Sequence, residues 1–250
     1  MLSKTLLIDG DIILFKLAFR HQYRVFGELK TDSLAETQVD LDLFLNNVIE
    51  SSGCLDYIVC LSSWQNFRKD LWSQYKLQRK AQEKPKHLAK LRAYLQANYE
   101  TLTMPKLEAD DVIGILASQD YDNYIIASTD KDLMQIPGLH YDWRNDEFFK
   151  VTPEEGLKFF YQQVLSGDPA DGYKGCPGIG KIKAKRIIEA VEDGNYWEAV
   201  LDTYEANGLS YDDALLNARL AFILDKDHWD ESNEEVILWT PPTEEETLGS

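Results

Sequence analysis

The stretch from Leu107 to Leu133 constrains this chain most. It reads LEADDVIGILASQDYDNYIIASTDKDL, an acidic helix start followed by a short apolar strand that ends in two more aspartates. After Asp111, the residues Val112, Ile115 and Leu116 recur at helical spacing and give the helix one buried face. Glu108 and Asp111 each stand four residues before a member of that stripe, so both lean toward the inward side. YIIAS at 124–128 reads as a strand with Asp130 and Asp132 at its carboxyl end, the edge where open α/β sheets hold their ligands. The five carboxylates Glu108, Asp110, Asp111, Asp130 and Asp132 would repel one another there unless a cation neutralised them. Hard oxygen donors favour Mg²⁺ or Mn²⁺. Each motif alone has an ordinary explanation, because acids suit the first turn of a helix and Asp suits turns after strands. Together they carry weight only if further acids reach the same edge.

The rest of the chain supplies them. TLLID at 5–9 is an apolar strand ending at Asp9, with Gly10 and Asp11 following, and IILFKLAFRH then reads as a helix. VDLDLFLNNVIES at 39–51 has helical spacing, DYIVCLS at 56–62 reads as a strand, and LAKLRAYLQANY at 88–99 as an amphipathic helix. LHYDWRNDEFFKVT at 139–152 alternates around Arg144, Asn145 and Asp146 as a β-hairpin does. TPEEGLKFFYQQVL opens a helix, with Thr152 as its cap and Pro153 in its first turn. Strands alternate with helices only to about Val151. The expected fold is therefore α/β, a mainly parallel central sheet flanked by helices over 1–151, followed by a helical part over 152–250. If LLID, YIVCLS and YIIAST lie parallel, their carboxyl ends meet at one edge, and Asp9 joins the acids from a separate part of the chain.

Charge is segregated along the sequence. The net charge of −17 argues at first against a nucleic-acid partner. From 66 to 92, however, nine Lys/Arg face only Asp70 and Glu83, and from 172 to 186 there are five Lys/Arg and no acid. From 225 to 250, nine acids face one Lys, and PPTEEETLGS reads as a frayed acidic tail. This pattern suggests two basic contact surfaces on an acidic body. Trp64, Phe67, Trp72 and Tyr75 are interleaved with the first of them. The cysteines, Cys54, Cys60 and Cys176, have no zinc-like spacing and cannot all pair, and a reducing cytoplasm is the simplest setting. Asp9 and Asp11 interrupt the opening apolar run too early for a secretory signal, and no run reaches the length of a membrane span.

GDPADGYKGCPGIGKIKAKRIIEAV at 167–191 completes the pattern. Gly175, Gly178 and Gly180 punctuate a tight turn, and GIGKIKAKR reads as a helix–hairpin–helix at about 172–191. Such glycines let backbone approach a phosphate at a helix start. Lys181, Lys183, Lys185 and Arg186 add charge that holds a nucleic-acid backbone without reading its sequence.

These motifs, in this order from about Leu6 to Ala190, resemble the 5′-nuclease family. That family comprises bacteriophage 5′→3′ exonucleases, the 5′-nuclease domain of bacterial DNA polymerase I, and flap endonucleases. The resemblance implies a PIN-like fold and a two-metal phosphodiester hydrolase in DNA replication, recombination or repair, inside a bacterium or a phage-infected host. By it, LLIDGD supplies Asp9; LEADD supplies Glu108, Asp110 and Asp111; STDKD supplies Asp130 and Asp132; and GDPADG supplies Asp168 and Asp171 to the ligand set. The three-residue step between the last two would set them one helical turn apart. NFRKDLWSQYKLQRK resembles the family's gateway segment, with Tyr75 stacking on the nucleic acid and Lys76 and Arg79 meeting the scissile phosphate. Arg68 and Lys80 would bind DNA beside them, as would Gly178, Gly180, Lys181, Lys183 and Lys185 at the hairpin. The implied cofactors are two Mg²⁺ or Mn²⁺ ions, with a monovalent cation as a candidate at the hairpin. The implied partner of a monomeric enzyme is duplex DNA with a 5′ end or flap, with RNA–DNA hybrid as a further candidate.

Two departures stand out. Where the family usually has an aspartate after the second strand, this chain has Ser62 and Ser63, and Ser63 is the expected metal neighbour. The segment between Arg79 and Glu108 is short, which favours a compact clamp over a long closed arch. The serines leave room for a DNA-binding protein with a decayed metal site. IDGD and GDPADG also resemble pieces of the haloacid-dehalogenase phosphatase pattern, although that fold would not explain CPGIGK or the basic 66–92 segment.

Overall fold

The computed structural model describes residues 2–81, 83–192 and 194–243, with no side-chain detail at 80 and 81. The expected acidic tail at 244–250 and the side chain of Lys80 therefore lie outside the described residues. The chain begins β1 (Leu2–Asp9), α1 (Gly10–Arg20), β2 (Gln22–Val25), β3 (Glu28–Thr31), α2 (Leu34–Ser52) and β4 (Cys54–Cys60). It continues with α3 (Phe67–Leu71), α4 (Leu88–Asn98), β5 (Thr101–Leu102), α5 (Ala109–Ala117), β6 (Tyr124–Ala127), β7 (Gly138–Asp142) and β8 (Glu147–Val151). The C-terminal part holds α6 (Pro153–Ser166), α7 (Lys181–Glu189), α8 (Tyr196–Ala206), α9 (Tyr211–Ala221), β9 (Trp229–Asp230) and β10 (Glu235–Val236).

Six strands form the central sheet in the order β5-β4-β1-β6-β7-β8. β1 pairs parallel with β4 and with β6, so Asp9, the residues after Cys60 and the Ser128–Asp132 loop all emerge at one edge. β7 continues the parallel set, and β8 turns back antiparallel through the expected hairpin. Burial along β1 shows why the sheet is covered on both faces. Leu6 and Ile8 face a core with α1, α2 and α4, and Leu7 faces another with α5 and the returning Ile223 and Leu224. Alternate residues of a strand point to opposite faces, so a strand covered on both sides is apolar throughout.

Helix boundaries follow local chemistry. Thr152 caps α6 by accepting from the Glu155 N–H, Glu155 returns the bond to Thr152, and Pro153 begins the helix. Ser33 and Glu36 do the same for α2, which ends at Gly53. A third core gathers α6 to α9 around Phe160, Val164, Ile188, Trp197, Tyr204 and Trp239, and Tyr75 of the basic segment joins it. Between α6 and α7 two stretches of backbone nearly touch. A Cβ on Gly175 would lie 2.2 Å from Gly167 N, and both residues have positive φ. The small β2–β3 ribbon and the two-residue ladders of β5 and of β9 with β10 lie outside the sequence expectation. No helix among the described residues is long and apolar enough to cross a membrane.

Candidate active site

At the carboxyl edge of the sheet lies an open pocket of about 310 Å³, lined by seven carboxylates and only two basic side chains. β1 delivers Asp9, and α1 adds Asp11 two residues on. The start of α5 contributes Glu108 and Asp110, the loop after β6 contributes Asp130 and Asp132, and the loop after α6 contributes Asp171. Lys76 and Arg79 reach in from the basic segment. Six of the eight expected ligands and both expected phosphate contacts therefore converge on one space.

Electrostatics show that the pocket lacks positive charge. Asp9 accepts from Ile12 N at 3.2 Å and from Ser128 Oγ at 2.9 Å. Even so, burial and the charge of Asp11 push its carboxyl up to about 7. Burial, with Asp9 and Asp130 beside it, raises Asp110 well above the usual carboxylate range, and Asp132 is raised chiefly by burial. Glu108 is the exception. Although its burial opposes ionisation, Lys76 and Arg68 hold it down at about 2. Lys76 Nζ bonds Glu108 and lies 3.4 Å from Asp171, and Arg79 Nη2 bonds Asp171 at 2.6 Å. Lys131 bridges Asp132 and Asp168.

Several expectations are corrected. Asp111 does not face the pocket: it is fully buried and takes a bidentate ion pair from Arg68, with both N···O distances 2.7 Å. Its oxygens also accept from Glu108 N and Leu224 N. Consecutive helical residues point about 100° apart, so Asp110 and Asp111 cannot both enter one pocket. Arg68 is likewise no DNA contact. It also donates to the carbonyls of Leu220 and Phe222, locking the C-terminal return onto α5, and lies 3.4 Å from Glu108. Tyr75 cannot stack on a ligand, because it is 2% exposed and its hydroxyl lies 2.8 Å from Glu108 and 3.0 Å from Asp171. Asp168 and Asp171 are not on a helix. They sit in a turn where Asp168 bridges to Tyr173 and accepts from Ala170 N; Asp168 does not line this pocket but a neighbouring cavity, beside Lys131. Ser62, not Ser63, lines the acid pocket, and its Oγ accepts from Ala109 N at 3.0 Å.

Asp11 and Arg92 were not foreseen as site residues. Arg92 reaches across from α4 to bond Asp11 at 3.2 Å and Ser62 O at 2.5 Å. The doubled acid of IDGD was a signal for Asp11, whereas nothing in sequence marks a contact 81 residues away. In the loop before α7, Gly178 and Gly180 have no atom near the position of an added Cβ, so their backbone faces open space. Lys181, Lys183 and Lys185 are exposed on the helix that follows, whose first turn has no side-chain cap.

Residues 4–158 match the model of the 5′-3′ exonuclease N-terminal resolvase-like domain. The chain belongs to this 5′-3′ exonuclease family. It is 26% identical over 215 residues to the exodeoxyribonuclease of Enterobacteria phage T3, covering 70% of each chain. It is 34% identical over 149 residues to DNA polymerase I of Rhizobium leguminosarum, covering 52% of this chain and 14% of the polymerase. In structure it is similar to the bacteriophage T5 flap endonuclease in a complex with DNA and metal ions, with a TM-score of 0.62, 15% identity, and coverage of 87% of this chain and 88% of that one. The fold expected from sequence, a mainly parallel sheet flanked by helices, is the fold of that nuclease. The haloacid-dehalogenase alternative falls with the family assignment.

The donor set suits divalent cations. Among the described residues no three His, Cys, Asp or Glu side chains stand close enough together, as placed, to hold a metal ion. The acids instead ring an open space, and burial with their mutual repulsion raises Asp9 and Asp110 for want of a counter-charge. Carboxylate oxygens around retained waters are what Mg²⁺ and Mn²⁺ prefer.

Proposed function

We propose that this chain hydrolyses DNA phosphodiesters at 5′ ends and 5′ flaps with two divalent cations, Mg²⁺ or Mn²⁺. The observation that carries the reading is the pocket itself, seven carboxylates from five chain segments with Lys76 and Arg79 at its wall. Asp9, Glu108 and Asp110 would hold one ion, and Asp130, Asp132 and Asp171 the other. When bound, the ions supply an activated water and offset charge on the leaving oxygen. Lys76 and Arg79, now paired with Glu108 and Asp171, are placed to turn to the scissile phosphate as its charge develops. Buried Tyr75 holds Glu108 and Asp171 in position.

In this reading, 1–151 carries the chemistry and 152–250 holds the duplex. The Gly178–Gly180 turn, α7 and its lysines form a helix–hairpin–helix that grips the phosphate backbone, with a monovalent cation as its candidate ligand. The protein would act as a monomer in replication, recombination or repair, in the cytoplasm of a bacterium or a phage-infected host. RNA–DNA hybrid is a further candidate substrate. The test is incubation of 5′-labelled and 3′-labelled duplex, flap and single-stranded DNA with Mg²⁺ or with a chelator. Release of short 5′-terminal products in Mg²⁺ only is expected. Cleavage in chelator, or from 3′ ends alone, would overturn the reading.

A further inference from the structure

Asp132 lines the acid pocket, but its carboxylate is gripped from α6. Gln163 of that helix, 8% exposed, donates from Nε2 to Asp132 Oδ1 at 2.8 Å. Lys131 Nζ bonds the same oxygen, and no bond among the described residues engages Oδ2. Gln163 is itself anchored. Its Oε1 accepts from Gln135 Nε2 at 2.5 Å, and that nitrogen also donates to Ala221 O at 2.7 Å. Gln135 Oε1 accepts from Ile223 N at 3.2 Å. These bonds form a chain from the C-terminal return to a pocket carboxylate, and its ends fix the sense of every link. An ionised carboxylate only accepts, so Gln163 turns its NH₂ to Asp132 and its oxygen to Gln135. Gln135 then offers its NH₂ to Gln163 and Ala221, which leaves its oxygen for the Ile223 N–H. Flipping either amide would set like groups against each other. The packing is close as well: a Cβ on Gly156 of α6 would lie 2.4 Å from Gln135 O.

Resting on the nuclease reading above, we infer that Gln163 is a positioning residue for the cation site of Asp130, Asp132 and Asp171. By occupying Oδ1 it leaves Oδ2 for the ion and makes Asp132 a one-oxygen ligand. A neutral amide suits this role, because it orients the carboxylate without cancelling the charge that a cation needs. Lys131 is the poorer guide, since its side chain is 51% exposed and it also reaches Asp168. Gln135 extends the control further. Arg68 takes the carbonyls of Leu220 and Phe222, while Gln135 takes the carbonyl of Ala221 and the N–H of Ile223. The same short return that is locked onto α5 therefore sets where one cation ligand stands. Partners that hold a ligating carboxylate in this way typically change metal affinity by 10- to 100-fold when removed.

The test is Mn²⁺ binding measured by titration calorimetry, with Gln163→Met as the variant, since Met nearly keeps the volume and removes both donor and acceptor. The native protein should bind two ions. Gln163→Met should weaken one of them by roughly 10- to 100-fold and leave the other unchanged. Gln135→Met keeps the donor to Asp132 and should weaken the same ion by less. The double variant should lose no more than Gln163→Met alone, and Gln163→Met should add nothing once Asp132→Asn is present. In cleavage assays Gln163→Met should need more Mg²⁺, with KM for DNA unchanged and kcat largely recovered at saturating Mg²⁺. A merely structural amide would lower the Tm of cation-free protein and leave Mn²⁺ affinity as it was. That result, equal weakening of both ions, or additive losses would overturn the inference. If Gln163→Met does not fold, Gln135→Met carries the same comparison. If the native protein binds no Mn²⁺, the nuclease reading fails, and the crystal structure of cation-free Gln163→Met decides the positioning role: Asp132 should turn to a new rotamer, and an unmoved Asp132 would refute it.

Discussion

Arg68→Met should destabilise the fold severely while leaving the exposed basic residues intact. Arg68 is 3% exposed and Asp111 fully buried, and the guanidinium meets both carboxylate oxygens and two backbone carbonyls. Removing the cation strands the Asp111 charge, with only the Glu108 and Leu224 N–H groups to support it. Breaking one side of a buried pair costs about 3–5 kcal/mol. For a chain of this size each kcal/mol moves Tm by about 2–4 °C, so the expected loss is about 6–20 °C. Adding Asp111→Leu should recover the share due to the stranded charge, though not the share from the two carbonyls left without donors. The assay is thermal unfolding followed by circular dichroism, paired with DNA affinity measured across salt concentrations. A Tm within about 2 °C of the native value, together with a flatter salt dependence of DNA binding, would show that Arg68 is a DNA contact and that the buried-tie account is wrong.

Three further outcomes are expected. Asp9 is raised from 3.8 to about 7, so its protonated form favours the fold, and its contribution is complete below about pH 4 and lost as pH rises to about 7. Cation-free protein should therefore lose thermal stability across that window, Mg²⁺ should restore it, and calorimetry should find proton release on cation binding that fades above about pH 7; pH-independent melts and binding would count against the buried site. Lys76→Ala should lower kcat far more than DNA affinity, and the combined Lys181→Ala, Lys183→Ala and Lys185→Ala variant should do the reverse, so loss of the same step in both would contradict the division of labour. Ser62→Asp should move the Mg²⁺ midpoint of cleavage to lower concentration and Ser63→Asp should not, because only Ser62 lines the acid pocket; matched midpoints for native and Ser62→Asp protein would place that serine away from the metal.

Sequence exposed the sheet and most of the pocket for one physical reason. The carboxyl halves of β1 and β4, and most of β6, are buried, so LLI, YIVCL and YIIA read as short apolar runs, each followed by a polar residue. The parallel register then brings those ends together without further information. The β2–β3 ribbon was silent because QYRV and ELKT are only four residues each and largely exposed, too short for their alternation to stand out. The roles of Arg68, Tyr75 and Asp111 were misread for a different reason. A charged or aromatic residue in a motif has the same letter whether it faces the ligand or the core, and only packing separates the two. The inward lean of Asp111 was itself visible in the helical spacing, and in the fold it meets the interior and Arg68 instead of the pocket. Arg92 reaches the site by a contact between distant segments, which periodicity does not encode.

The most direct test of the central claim is anomalous scattering from crystals of the native protein soaked in Mn²⁺. Two peaks about 3.5–4 Å apart are predicted in the pocket, one near Asp9, Glu108 and Asp110 and one near Asp130, Asp132 and Asp171, with none at Asp111. An empty pocket at saturating Mn²⁺, or peaks confined to other acids on the surface, would contradict the account.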